Sequence, residues 1–81
     1  MHTPARIGPM PMLQNALIHK LIEKLSDADP VNRRNAAGAL RLHGRRAVEA
    51  IPALTTLLDD EDSSVRREAE RALARLRSVA A

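Results

Sequence analysis

Apolar residues recur every three or four positions along most of the chain, and no stretch alternates strictly between apolar and polar residues. Residues three and four apart lie on one side of a helix, so this spacing is typical of helices that bury one face. We therefore predict an all-α protein with four helices, near residues 11–25, 30–43, 46–58 and 63–79. The apolar positions on the first, third and last helices are Leu13, Leu17, Ile18, Leu21, Ile22 and Leu25; Val48, Ile51, Leu54, Leu57 and Leu58; and Val65, Ala69, Ala72, Leu73 and Leu76.

Local signals mark the ends of several of these helices. Asp29 followed by Pro30 is typical of an N-cap and a first helical residue, and Gly44 can end the same helix. Pro52 falls inside the third stretch, so that helix either starts near Pro52 or is kinked there. Three prolines and one glycine in residues 1–11 predict a flexible leader, which leaves residues 12–81 as one small domain.

The two halves of this domain repeat each other. A shift of 33 residues aligns them without a gap and gives ten identities between residues 12–44 and 45–77. The identities fall on apolar positions and on one turn-and-arginine signature: Ile18/Ile51, Leu21/Leu54, Leu25/Leu58, Asp27/Asp60, Asp29/Asp62, Arg33/Arg66, Arg34/Arg67, Ala36/Ala69, Ala39/Ala72 and Leu40/Leu73. A period of this length indicates a helical solenoid, in which each hairpin buries its apolar face on the next.

The second copy carries a recognisable motif. Residues 50–54 and 57–67, followed by Ala69, Ala72 and Leu73, resemble the HEAT-like repeat that is also found in phycobilisome bilin lyases. The resemblance implies an α-solenoid of two antiparallel helical hairpins, about 12–44 and 45–79, with first helices on the convex side and second helices on the concave side. Asn32, His19 and His43 depart from the motif in the first copy, which is typical of a terminal repeat with a polar outer face.

The resemblance also implies structural roles for the turn-and-arginine signature. In such families the turn aspartate and the arginine that opens the second helix commonly bond between neighbouring repeats. Carried over to this chain, Asp27 or Asp29 would pair with Arg66, and Asp60 or Asp62 would have no following partner. The inter-repeat set is therefore predicted to comprise Asp27, Asp29, Arg33, Asp60, Asp62 and Arg66.

Composition excludes several classes of function. The chain has no Cys, Phe, Trp or Tyr, which excludes disulfides, a cysteine-ligated zinc site, a thiol nucleophile and aromatic stacking on bases. It has no apolar run of about 18 residues for a membrane span and no secretory signal, so we expect a cytoplasmic protein. The net charge of +3 is modest, so electrostatic roles should be local.

Arginines supply the best candidate binding surface. Turning the apolar stripe of the last helix inward places Arg67 and Arg71 on its opposite face, and the 33-residue register adds Arg34 and Arg41 from the second helix. Guanidinium groups suit carboxylates and phosphates, so this face predicts a protein-interaction or scaffold module for an acidic partner. The alternative is a solvated face with local pairs such as Arg67–Glu70 and Glu68–Arg71.

Other activities find less support in the sequence. His19 and Glu23 could offer two metal ligands but no third has a matching spacing, and His43 at a helix end is typical of a cap-region residue. The serines lie in acidic turns without a glycine-rich elbow, and the three glycines are isolated. We therefore expect no enzyme activity, no metal and no cofactor.

Three further hypotheses concern partners. Arginines alone can bind a nucleic-acid backbone, although no base-reading motif is present. An accessory subunit related to bilin lyases is another alternative, without a visible tetrapyrrole pocket. Because solenoids usually need about three repeats, we also expect a homo-oligomer, through Ala69, Leu76 and residues 79–81 or through the edge with Asp60 and Asp62.

Overall fold

Helix α1 spans Pro11–Lys24 in the computed structural model, which describes the backbone of residues 11–81 and the side chains of residues 15–81. The predicted leader therefore lies outside the described residues, apart from Pro11, which begins α1, and the side chain of Leu13 lies outside the described side chains. Ile18 and Leu25 are buried as the apolar stripe predicts. Leu17 departs from that prediction, because 48% of its surface stays exposed.

Helix α2 spans Pro30–His43 and begins and ends as predicted. Asp29 is its N-cap, with Oδ1 accepting the Val31 N–H at 2.9 Å, and Pro30 occupies the first turn. Gly44 follows the last helical residue with φ +61°, a conformation that side chains rarely adopt. Its N–H donates to the carbonyl of Arg41 and closes the helix.

The third helical stretch is broken, so the prediction of four full helices is wrong. A 3₁₀ segment covers Gly44–Ala50, the short helix α3 covers Ile51–Thr56, and a second 3₁₀ turn covers Leu57–Asp59. Pro52 explains the first break: it has no N–H to give the carbonyl of Val48 an α-helical bond, and Ile51 N–H donates to that carbonyl instead. The α-helical part therefore starts at Ile51, next to the proline, and a start near Pro52 was one of the two predicted alternatives.

Helix α4 spans Ser63–Ala80 and is the longest helix of the described chain. Asp62 caps it, and its carboxylate accepts the N–H groups of Ser64 and Val65. The predicted stripe is buried on this helix and comprises Val65, Ala69, Ala72, Leu73 and Leu76. Because Ala69 and Leu76 are fully buried in the chain's own core, neither is available for the oligomer contact that was predicted through them.

The helices form two layers, with α1 beside the broken third segment and α2 beside α4. Five residues join α1 to α2, a length typical of antiparallel neighbours. Helices α2 and α4 run parallel. Arg33 on α2 bonds Asp60 just before α4, and eight residues later in both segments Arg41 bonds Glu68, so the two helices advance in the same direction. Residues 11–81 contain no strand. The aliphatic core between the layers comprises Ile18, Leu25, Ala36, Ala37, Leu40, Ala47, Ala50, Leu54, Leu57, Val65, Ala69, Ala72, Leu73 and Leu76.

Candidate functional site

Two adjoining grooves lie on the surface that α2 and α4 share, which we call the inter-helix surface. The larger groove has a volume of about 640 Å³ and the smaller about 390 Å³. Arg41 and Leu42 line both of them. The other lining residues are Arg71, Ala74, Arg75 and Ser78 in the larger groove and Arg34, Asn35, Gly38, Ala39 and Glu68 in the smaller.

The helices bring these arginines together in a regular way. Arg71 and Arg75 are four residues apart on α4 and therefore project from the same side, one turn apart. Arg34 and Arg41 are seven residues apart on α2, which corresponds to two turns or about 10 Å. Four guanidinium groups thus border the grooves against one carboxylate, that of Glu68.

Glu68 is already engaged by the arginines around it. Its Oε2 accepts the Arg41 Nε–H at 2.8 Å, and its Oε1 lies 3.7 Å from Arg71 Nη1. Gly38 makes room for this carboxylate, since a Cβ at that position would lie 3.3 Å from Glu68 Oε2. The glutamate therefore fixes Arg41 and neutralises part of the charge, while Arg34, Arg71 and Arg75 face the grooves with exposed side chains.

The predicted arginine set is brought together only in part. Arg34, Arg41 and Arg71 line the grooves, whereas Arg67 is exposed on α4 outside both. Of the predicted local pairs, Glu68–Arg71 is present at 3.7 Å, and the Arg67–Glu70 pair is not found among the ion pairs of residues 15–81.

Arg33 makes the main polar contact between the repeats. Its Nε and Nη2 donate to the two carboxylate oxygens of Asp60 at 2.8 and 3.0 Å, and its Nη1 donates to the carbonyls of Asp27 and Ala28. Only 11% of the arginine side chain and 7% of the aspartate side chain are exposed. A bidentate ion pair that is this deeply buried fixes the register of the two repeats.

This geometry corrects the predicted pairing of Asp27 or Asp29 with Arg66. Within the described chain Asp60 has a partner and Arg66 reaches only the carbonyl of Asp60, through Nη1 at 2.7 Å. Asp29 and Asp62 cap their own helices rather than join repeats. The pairing between repeats is therefore the reverse of the predicted one: the arginine of the first repeat, Arg33, bonds the turn aspartate of the second repeat, Asp60.

The remaining member of the predicted set, Asp27, is held within its own turn. Its Oδ1 accepts the Asp29 N–H at 2.8 Å and the Asn32 Nδ2–H at 3.2 Å. Asn32, in the same repeat, thus donates a side-chain hydrogen bond to Asp27. The equivalent aspartate, Asp60, instead accepts side-chain hydrogen bonds from Arg33 of the preceding repeat. Asn32, which departs from the repeat motif, therefore bonds the turn aspartate within the first repeat itself.

Hydrogen bonds lower the pKa values of three of these aspartates. Arg33 holds the pKa of Asp60 below its ordinary value, mainly through its side-chain hydrogen bonds, and Asp60 in turn raises the pKa of Arg33. The N–H of Asp29, followed by the Asn32 amide, lowers the pKa of Asp27. The Ser64 hydroxyl, followed by the Val65 N–H, lowers the pKa of Asp62. All three carboxylates are therefore charged in the folded protein at neutral pH.

Sequence reasoning missed Arg75, Leu42, Ser78 and the role of Glu68. Arg33 and Asp60 are 27 residues apart and so are Arg41 and Glu68, but this spacing does not follow from the 33-residue repeat and appears only in the structure. His19, weighed above as a metal ligand with Glu23, instead bonds Glu49 through Nε2 at 2.8 Å. The described side chains contain no cluster of three metal-ligating residues, and no described helix is long and apolar enough to cross a membrane.

Comparison with known proteins agrees with the repeat geometry. A search of curated proteins and a search of solved structures each returned no match. The family model for HEAT repeats matches residues 18–81, which covers α2, α4 and the broken segment between them as well as the second half of α1. The chain therefore belongs to the HEAT-repeat family.

Proposed function

We propose that this chain is a non-catalytic protein-interaction module that binds an acidic segment of a partner protein on its inter-helix surface. HEAT repeats generally mediate protein–protein interaction. The observation that carries the proposal is the pair of adjoining grooves bordered by Arg34, Arg41, Arg71 and Arg75. Their one carboxylate, Glu68, is engaged by Arg41, so the surface as a whole favours anions.

The mechanism is binding to a surface that is already in place. Helices α2 and α4 are held in register by the Arg33–Asp60 contact and by the buried residues between the layers. Carboxylates of the partner would receive hydrogen bonds from guanidinium forks that project from rigid helices, which limits the entropy lost on binding. Among the described side chains, no group of three or more His, Cys, Asp or Glu residues could hold a metal ion.

Charge reversal tests the proposal. The probe is a fluorescein-labelled peptide of roughly twelve residues, about 40 Å when extended, made of Asp, Glu and Gly with one central Leu. We expect the double variant Arg71→Glu/Arg75→Glu to weaken its binding by about tenfold or more in fluorescence anisotropy, because two attractive contacts become repulsive. Arg41 is left unchanged because it also bonds Glu68 and joins the helices.

A matched control separates the surface from overall charge. The variant Arg45→Glu/Arg46→Glu makes the same change in net charge at two exposed residues outside both grooves. It should keep most of the affinity for the peptide, and both variants should keep the helical circular-dichroism spectrum. Equal losses in the two variants, or none in either, would overturn the proposal.

Nucleic-acid backbone binding is the competing outcome of the same experiment. A single-stranded oligonucleotide is titrated in parallel over a range of salt concentrations. If it binds more tightly than the peptide, with affinity that falls steeply as salt rises and depends on Arg71 and Arg75, the ligand is a nucleic acid and the acidic-peptide proposal is wrong.

A further inference from the structure

Leu42 is the most exposed large apolar side chain among the described residues, with 79% of its surface open to solvent. It lies in the last turn of α2 and lines both grooves of the inter-helix surface. Single exposed leucines are common on protein surfaces and need no explanation by themselves. Leu42 differs because it stands where the two grooves meet, among the arginines that border them.

The surroundings of Leu42 combine apolar contact with positive charge. Ala74 lines the larger groove and Ala39 the smaller, and the methylene stems of Arg71 and Arg75 add further apolar surface beneath their charged ends. Small residues thus line the grooves beside Leu42, whose own surface is open to solvent. A ligand that is only acidic would meet the arginines but would leave this apolar centre exposed to water.

We propose that the partner segment carries an apolar side chain flanked by carboxylates, and that this side chain packs on Leu42 while the carboxylates bond the surrounding arginines. This inference rests on the proposed function and specifies the partner of that same site. It follows the common pattern of binding sites in which an apolar centre is enclosed by polar contacts.

The spacing of the arginines limits the length of the motif. Arg34 and Arg41 lie about 10 Å apart along α2, and an extended peptide advances about 3.3 Å per residue. The flanking carboxylates should therefore lie within about three or four residues of the apolar residue. Segments with acidic residues on one side only would engage one groove and leave the other empty.

A double-mutant cycle tests the contact. The labelled acidic peptide with a central Leu and a copy with Ser in its place are each titrated against the unchanged protein and against Leu42→Ser. The unchanged protein should prefer the Leu peptide by about tenfold, and Leu42→Ser should lose most of that preference while it still binds the Ser peptide with nearly unchanged affinity.

A matched variant and the charge-reversal variant separate the possible failures. Leu17→Ser removes a half-exposed leucine from α1, away from both grooves, and should keep the full preference for the Leu peptide. If Leu42→Ser also keeps it, while Arg71→Glu/Arg75→Glu abolishes binding, the anchor role of Leu42 is wrong and the proposed function stands. If the charge reversal has no effect, or the unchanged protein binds neither peptide, the proposed function fails and this inference fails with it.

Discussion

The two repeats differ most at positions that touch the neighbouring repeat in one copy and solvent in the other. Val65 is fully buried on the face of α4 that Glu68 shares, which is the face against α2. Its equivalent in the first repeat, Asn32, is exposed. Leu40 and Leu73, which are also equivalent, are both buried, and we infer that each packs within its own hairpin. The contacts inside a hairpin thus need apolar residues in both copies, whereas the contacts between hairpins need them only where a neighbour is present.

Other positions are buried in the first repeat and exposed in the second. Ala37 is fully buried on α2, and its equivalent on α4, Glu70, is exposed. Leu76 and His43 follow the pattern of Val65 and Asn32, with the leucine buried and the histidine exposed. Two residues that are 33 positions apart therefore occupy the same place in their hairpins. Whether that place requires an apolar residue depends on whether a neighbouring repeat covers it.

Exchanging the residues at one such position should have the largest effect. Val65→Asn removes a buried side chain worth about 2 kcal/mol and leaves an amide without partners at a cost of about 1–3 kcal/mol. Because a chain of this size has a total stability of only about 4–12 kcal/mol, the melting temperature should fall by more than about 12 °C. Thermal unfolding followed by circular dichroism gives the measurement.

The reverse exchange is the control for that prediction. Asn32→Val should change the melting temperature by less than about 5 °C, because it loses one exposed hydrogen bond to Asp27 and buries nothing. Similar losses in Val65→Asn and Asn32→Val would contradict the difference between the two faces.

The turn aspartates offer a second comparison, with a somewhat smaller effect. Asp60→Ala should lower the melting temperature by more than about 10 °C, because it leaves the largely buried guanidinium of Arg33 without its carboxylate partner. Asp27→Ala removes the same type of turn bond, to the N–H two residues on, together with the exposed bond from Asn32, and it keeps the backbone carbonyl that accepts from Arg33. The difference between the two variants isolates the contact between repeats, and a difference near zero would show that the turn bonds alone matter.

Acid should weaken the protein partly through the same contact. Asp60 has a lowered pKa in the folded state, so the unfolded chain binds its proton first as the pH falls. The stabilisation is complete above about pH 5 and is lost as the pH drops through about 4 toward the folded pKa. Urea midpoints measured between neutral pH and pH 3 should fall less steeply for Asp60→Asn than for the unchanged protein. Asp27 and Asp62 also have lowered pKa values, so Asp60→Asn should keep part of the slope.

Local chemistry explains which features could be predicted from the sequence. The N-cap at Asp29 and the helix end at Gly44 depend on neighbours within three residues, and the sequence contains those neighbours. The 33-residue register likewise placed Arg34, Arg41 and Arg71 on one surface, since equivalent helices in stacked hairpins present equivalent faces.

Features that depend on contacts between repeats could not be predicted in the same way. The repeat shows that Arg33 and Asp60 are special but does not say whether an arginine reaches the turn before it or the turn after it. The apolar stripe of α1 does not show that Leu17 stays half exposed. Leu42 was missed because one leucine outside the stripe has no periodic signal, and its importance appears only where two grooves meet.

The two layers give the last comparison and the smallest expected effect. His19 and Glu49 join the repeats in the layer that contains α1, at 2.8 Å, but both side chains are about half exposed or more. Exposed ion pairs typically contribute little, because water screens them and the side chains lose freedom to form them. We therefore expect His19→Ala to lower the melting temperature by less than about 3 °C, measured beside Asp60→Ala under the same conditions. A loss as large as that of Asp60→Ala would mean that the exposed layer, rather than the covered Arg33–Asp60 contact, holds the two hairpins in register.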